Sequence, residues 1–268
     1  MNNLVLSIFP GADLLGRGFE AEGYCVVRGP DLLWGGDVAQ FHPPAGVFAG
    51  VIGGPPCQNF SRANRHPDHF EGVKMLDQFF RIVTEAEADW FLMENVCGLP
   101  HCLWPEGWQY QRFNLNAREC GGLHQNRLRV FLFGFHTGYE LVIRRGAPQP
   151  GKSPCALASE GKRLFRRSFA DFCELQGLPR DFDLPGLSLS AKYRAVGNGV
   201  PVPMARVVAG AIRDRPVTRP VRVCVCQCGR PVRAGQTLAT AACRKRMQRR
   251  RDSSRVTIPG PVTPALSL

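Results

Sequence analysis

Short apolar runs that stop at a glycine, a proline or a polar residue recur along the first half of the chain, with helix-period stretches between them. The runs are Leu4 to Phe9, closed by Pro10-Gly11, then Tyr24 to Val27, Gly46 to Ile52, Trp90 to Met93 and Arg129 to Phe135. Runs of this length bounded by turn residues predict strands. A short amphipathic helix is predicted through Leu15 and Phe19, closed by Gly23. A longer one is predicted over Met75 to Ala88, where Leu76, Phe79, Phe80 and Val83 share a face. Strands alternating with helices predict an α/β fold. From Thr137 to Arg163 the pattern dissolves into Gly, Pro and Ser; Phe169 to Leu175 and Val202 to Ile212 resume as helices, and Pro216 and Pro220 mark a boundary.

Charge sorts the chain into two parts. Residues 1–212 carry 21 Lys and Arg against 20 Asp and Glu, whereas residues 213–256 carry 13 against 2. The body is nearly neutral and the tail is a cationic arm, for which nucleic acid is the natural partner through phosphate neutralisation. No apolar stretch of the sequence approaches a membrane span, and no basic region leads into a long apolar core at the amino terminus, so a soluble, unprocessed chain is expected. The 11 cysteines, an odd number without a framework pattern, favour a reducing cytosol.

The segment Gly53-Gly54-Pro55-Pro56-Cys57-Gln58-Asn59-Phe60-Ser61 places a thiol directly after a buried run, behind two prolines that fix the backbone. A cysteine there is either a small core hydrophobe or, as thiolate, a nucleophile. Its company decides. Met93-Glu94-Asn95-Val96 puts a carboxylate at the end of another strand, where open α/β sheets assemble their sites. Gln125-x-Arg127-x-Arg129 would bring two arginines to one face of a strand entrance.

With these residues in hand, the chain resembles the DNA (cytosine-5) methyltransferases over roughly residues 4–212. The resemblance is carried in order by S-I-F-P-G-A-D-L-L-G-R-G-F-E, W-G-G-D-V, G-G-P-P-C-Q-N-F-S, M-E-N-V, Q-N-R-L-R and Y-R-A-V-G-N-G-V-P. It implies a Rossmann-like S-adenosylmethionine-dependent methyltransferase fold with a mostly parallel central sheet, a small second lobe and the basic tail. The expected organisation is a cofactor-binding and catalytic domain over 1–136, a short target-recognition region over 137–174, a return to the catalytic domain over 175–215, and the tail over 216–268. The implied catalytic set is Cys57 as nucleophile on cytosine C6, Glu94 gripping the ring, and Arg127 contacting the base and supporting the carboxylate, with Arg129 structural and Asn95 anchoring backbone. The implied cofactor pocket is Phe9, Gly11, Asp31, Asp37, Pro56, Asn198 and Val200. Asp31 serves equally well as a cap on a turn. Gln58 to Gly72 resembles the mobile loop that closes over a flipped base.

The sequence departs from the family in three places. Ser7 stands where an acid is usual, and Asp13 where a second glycine is usual, so a carboxylate could face the sulfonium or point to solvent. Only about 40 residues, His136 to Glu174, occupy the place of a sizeable recognition domain, which suggests relaxed or very short target specificity, or help from elsewhere such as the tail. The tail carries Cys224, Cys226, Cys228 and Cys243, a thiolate set suited to a structural zinc, without which the segment is expected to be an unstructured basic arm. The expected partner is double-stranded DNA, with the chain acting as a cytoplasmic, monomeric modification or anti-restriction enzyme without a membrane partner. A transfer-RNA cytosine methyltransferase and a non-catalytic DNA-binding protein are the alternatives.

Overall fold

The computed structural model describes residues 2–56, 60, 68–99, 107–136, 140–150, 154–215 and 240–253. The chain divides into two compact units, Met1–Val217 and Thr218–Leu268.

The first unit is built on a six-stranded sheet: β1 (Leu4–Ile8), β2 (Cys25–Arg28), β3 (Gly50–Gly53), β4 (Trp90–Asn95), β5 (Gln109–Asn116) and β6 (Leu128–Phe135), in the order β2-β1-β3-β4-β6-β5. β1 pairs in parallel with both β2 and β3, and β3 with β4, whereas β6 runs antiparallel to β4 and to β5. The chain leaves β1 for one neighbour and returns to the other, so the order reverses beside β1, the place where open sheets bind ligands at their carboxyl ends. Because β6 is reversed, its entrance lies at the same edge: Asn95 faces Val130 and Glu94 faces Phe131.

Alternation along the strands splits the core into layers. Val5, Trp90, Leu92, Phe131 and Phe133 pack with Phe19 of α1 (Leu14–Glu20) and with Met204, Ala205 and Val208 of α5 (Val202–Arg213). Leu6, Ile8, Val51, Phe91 and Met93 pack on the other face with Leu76, Phe79, Phe80 and Val83 of α2 (His69–Glu85). The helical face read from the sequence is thus the buried one, but the helix starts six residues earlier than the spacing predicts, capped by the Asp68 side chain on the Glu71 amide at 3.1 Å. His69 to Gly72, expected as loop, is its first turn.

A third cluster joins α3 (Phe169–Leu175) and α4 (Leu189–Asn198) through Phe172, Cys173, Tyr193 and Val196, and reaches Ala12 and Leu14. Leu189–Arg213 is apolar enough in aggregate to cross a membrane, yet it is two helices broken at Gly199–Pro201 and 56% of its most apolar window is buried in the fold. In the second unit the described residues form α6 (Ala241–Ser253), rich in Arg and Lys.

Phe91 anchors the face covered by α2, with ring centroids 5.8 Å from Phe79, 5.5 Å from Phe80 and 5.0 Å from Trp108. Phe91→Ala is expected to cost about 3–5 kcal/mol of unfolding free energy, against about 0.5 kcal/mol or less for exposed Val142→Ala. Urea titration of both variants checks this; equal midpoints would place the core elsewhere.

Candidate active site at the carboxyl edge of the sheet

The β1–α1 turn is held in an unusual backbone. Phe9, Gly11 and Asp13 all adopt left-handed conformations, with φ of 54°, 56° and 50°. For the two non-glycine residues this costs about 1–2 kcal/mol each, so side-chain contacts must enforce it. Asp13 supplies them. Its carboxylate is buried, accepts from the Ser7 hydroxyl at 2.9 Å and the Gly16 amide at 3.0 Å, and pairs with Arg28 Nε at 2.8 Å. Burial pushes the Asp13 carboxyl above its ordinary 3.8, against the pull of Ser7 and Arg28. The carboxylate therefore neither points to solvent nor stands unmatched: it caps α1 and ties β1 to β2.

Asp31 accepts from the Gly11 amide through Oδ2 and from the Leu33 amide through Oδ1, both at 2.8 Å. The Trp34 indole N–H donates to the Gly11 carbonyl at 2.8 Å. Asp31 thus caps a turn, the simpler of its two expected roles, and in doing so draws the β2 exit against Gly11. Each of its oxygens keeps a second lone pair for an incoming hydroxyl. Trp34 is a member of this cradle that the sequence reading missed; an indole in the loop segment Leu32-Leu33-Trp34-Gly35-Gly36 was the available signal. Asp37 is exposed and caps the next turn, accepting from the Ala39 amide at 2.9 Å. Pro56 is exposed just past β3.

Across the edge, Glu94 is only 7% exposed at the end of β4. Its Oε1 pairs with Arg129 Nε at 2.8 Å. A β-carbon on Gly54 would lie 3.1 Å from Glu94 Oε2, so the missing side chain lets the segment after β3 come against the carboxylate. The neighbouring Asn95 donates to the Pro55 carbonyl at 3.2 Å and accepts from the Val96 amide at 2.9 Å. Phe60 is buried, and its carbonyl sits so close to Gly98 that a β-carbon there would collide with it. Pro55 and Phe60 are therefore both fastened to the turn that follows Glu94. Cys57, between them in sequence, lies outside the described residues, as do residues 58–59 and 61–67 of the expected loop.

Arg127 requires a correction. The family pattern gives it the support of the carboxylate and leaves Arg129 structural, and the ion pair is instead made by Arg129. Arg127 is 3% exposed, and its guanidinium donates to Ala156 O at 2.9 Å, Gly197 O at 2.8 Å and Gly199 O at 2.9 Å. The reason is where the strand starts. β6 begins at Leu128, and Arg127 precedes it in a turn closed by its amide on the Gln125 carbonyl at 3.0 Å. Buried Gln125 and Gln176 extend the fastening: Gln125 Nε2 donates to Gln176 Oε1 at 2.9 Å, and Gln176 Nε2 to Val196 O at 2.7 Å. Together they hold the turn carrying exposed Asn198 and buried Val200, and Gly199 packs on Leu14 at the start of α1.

Desolvation pushes the Glu94 carboxyl above its ordinary 4.5, and Arg129, then Arg127 at longer range, pull it back. Among the described residues no three His, Cys, Asp or Glu side chains gather as a metal site. Cys224, Cys226 and Cys228 lie outside them, and Cys243 is buried in its own unit with its sulfur 3.1 Å from the Thr240 hydroxyl.

A doubly wound sheet with capped turns after β1 and β2 and a buried acid at the end of β4 is the architecture of a Rossmann-like methyltransferase. The same architecture recurs in a methyltransferase of Entamoeba histolytica (TM-score 0.60, 12% identity, 79% of this chain and 98% of that one) and in a DNMT2 variant of Spodoptera frugiperda (0.53, 15%, 79% and 99%). The sequence profile of C-5 cytosine-specific DNA methylases matches residues 36–154 and 149–214, and the chain belongs to that family. It is 32% identical over 100 residues to the type II methyltransferase M.HgiDI of Herpetosiphon aurantiacus, covering 33% of this chain and 31% of that one. It is 25% identical over 240 residues to M.BsuFI of Bacillus subtilis, covering 62% and 58%. The chain thus spans only about a third to somewhat over half the length of these two relatives.

The two arginines should separate by experiment. Arg127→Met leaves buried carbonyls unmatched and is expected to cost more than about 2 kcal/mol of stability, with Arg129→Gln costing less. By linkage, a folded carboxyl raised above 4.5 makes wild type lose stability relative to Glu94→Gln as pH rises from 4.5 through the folded value. In an Arg129→Gln background that loss should extend to higher pH. Denaturant titrations from pH 4 to about 8 read both effects; an identical pH window with and without Arg129 would sink the pairing.

Proposed function

We propose that the chain transfers a methyl group from S-adenosylmethionine to C5 of cytosine in double-stranded DNA. The observation that carries this reading is the buried Glu94–Arg129 pair set against Gly54, with Asn95 tethering Pro55 two residues before Cys57.

An open turn after β1 supports a cofactor site there. Nothing lies within 4 Å of where a Gly11 β-carbon would be, so the cradle between Phe9, Asp31 and Trp34 is open at its base. Phe9 would face the adenine, Asp31 would accept from the ribose hydroxyls, Asp37 would meet the adenine amine, and Pro56, Asn198 and Val200 would close the pocket. The bound cofactor supplies an electrophilic methyl carbon.

Cytosine C5 is a weak nucleophile, and the target base must leave the stack to be reached. The Cys57 thiolate would add to C6 and the π pair of the C5–C6 double bond would move to C5, leaving C5 able to bond to the methyl carbon that a bound donor would supply. Loss of the C5 proton to a base then expels the thiolate and restores the ring. Glu94, biased by burial toward its protonated form, donates to ring N3 and accepts from the exocyclic amine, and Arg129 fixes its orientation. The base that takes the C5 proton is assigned to no residue. In the tail, the cationic residues serve phosphate binding, and Cys224, Cys226, Cys228 and Cys243 would as thiolates be the ligands of a structural zinc.

Cys57→Ser is expected to abolish methyl transfer and leave the unfolding midpoint unchanged. Labelled-cofactor assays on duplex DNA and on transfer RNA, with bisulfite sequencing of the products, check activity and substrate together. Undiminished transfer by the variant overturns the nucleophile, and transfer confined to RNA overturns the substrate. A duplex containing 5-fluorocytosine should become covalently bound to wild type but not to Cys57→Ser.

Deleting residues 217–268 is expected to lower duplex affinity and flatten the dependence of log K on log salt by about 0.9 for each phosphate that is no longer neutralised. Binding titrations at several salt concentrations measure it, and an unaltered slope removes the tail from the interface.

A further inference from the structure

Between β6 and α3 one loop projects from the body in a way that neither the core nor the catalytic edge uses. Its stem is fastened from several directions. Ala156 is held by Arg127 through its carbonyl and by Gln125 Oε1 through its amide, at 2.9 and 3.2 Å. Glu160, 3% exposed, receives Arg167 Nε at 2.6 Å, and Arg167 also donates to the carbonyls of Pro154 and Cys155, each at 3.0 Å. The Tyr193 hydroxyl donates to the Arg167 carbonyl, and Ser168 caps α3 immediately beyond. Burial alone would raise the Glu160 carboxyl, and the hydrogen bonds and charge of Arg167 override it, so the stem cation is matched inside the protein.

Among the described residues no carboxylate pairs with the tip between these fastenings. Lys162, Arg163 and Arg166 are all exposed and, among the described residues, none forms an ion pair with an acid. Arg166 meets only neutral groups, the Arg163 carbonyl at 3.4 Å and the Tyr193 hydroxyl. Between the cations stand Leu164 at 87% exposure and Phe165 at 93%, the two most exposed large apolar side chains of the described residues. Single exposed apolar residues need no explanation. Two adjacent ones at the head of a braced loop, flanked by three cations without a counter-charge, do.

We propose that residues 162–166 form a wedge for duplex DNA, in which Leu164 and Phe165 enter between base pairs while Lys162, Arg163 and Arg166 hold the flanking phosphates. The inference rests on the reading of the chain as acting on double-stranded DNA. Apolar side chains inserted at a base step unstack it and kink the duplex by about 20–90°, and cations beside them gain from released counterions. A stem fixed in advance spares the ordering cost that a loose loop would pay on binding. The same chemistry explains how some 40 residues could stand in for a larger recognition region: a wedge selects steps that unstack easily rather than reading base edges.

The test uses the full chain and a fluorescently labelled duplex without methyl donor, with the bend read by energy transfer between the duplex ends. L164A/F165A should lose the bend and weaken affinity roughly tenfold or more with the salt slope kept. R163Q/R166Q should lower the slope by about 0.9 for each phosphate left unneutralised. Both variants alter exposed positions, so unfolding midpoints should match wild type. Wild-type affinity, slope and bend in both variants overturn the inference, and so does a loss confined to binding of phosphatidylserine vesicles, which would make the tip a lipid contact. Methyl transfer measured separately keeps the two readings apart: transfer with tip-independent binding sinks only the wedge, and tip-dependent bending without transfer sinks only the activity.

Discussion

Arg127 carries a full charge into the interior, and the carboxyl-terminal part of the first unit is arranged around it. A buried guanidinium is costly unless its donors are matched. Here the two terminal nitrogens are matched by carbonyls of Ala156, Gly197 and Gly199, in two segments far from the arginine in sequence. A lysine could not serve in the same way, because the planar fork is what spans two separate segments at once. Folding the chain back over the sheet edge and satisfying this cation are the same event. That event brings the Val200 turn against Leu14 at the start of α1, and so joins the far end of the unit to the carboxyl edge of the sheet.

The β1–α1 turn shows how one departure from a family pattern can be absorbed. An acid in place of a glycine at position 13 adds both a charge and a β-carbon where left-handed backbone is required. Aspartate is among the residues that tolerate that backbone, and its carboxylate finds Ser7, Gly16 and Arg28 within reach. Ser7 is itself the other departure. The hydroxyl leaves room for the carboxylate and donates to it, so the two changes answer each other across the start of α1. The strain in the turn is thereby borne by contacts facing the core rather than by the face left open at Gly11.

Much of this was legible from residue patterns. The strand runs, the helical face of α2 and the placement of Glu94 at a strand end follow from apolar periodicity and from where turn residues fall. β5 was not legible. Gln-Tyr-Gln-Arg-Phe-Asn-Leu-Asn mixes polar and apolar residues because it is an edge strand, and its Gln111 side chain pairs with the amide and carbonyl of Leu141. α4 was missed because its apolar positions are few, although Ser188 offered a capping signal. The reversal of the two arginine roles has a subtler cause. Period-two alternation puts Arg127 and Arg129 on one face only if both lie in the strand, and the strand starts between them.

Two arginines separated by one residue thus act on one carboxylate through different physics. Arg129 meets Glu94 directly and sets the direction of its oxygens, while Arg127, committed to backbone carbonyls, reaches it only as a field. Burial works against both by favouring the neutral acid. The net direction is upward, so desolvation outweighs the two arginines at this carboxyl. Glu94 is buried where these influences meet, and Gly54, which has no side chain, lies close against its second oxygen. A side chain at the glycine before the prolines would press on the acid of the next strand, so the chain between β3 and Cys57 can run this close to Glu94 only without one.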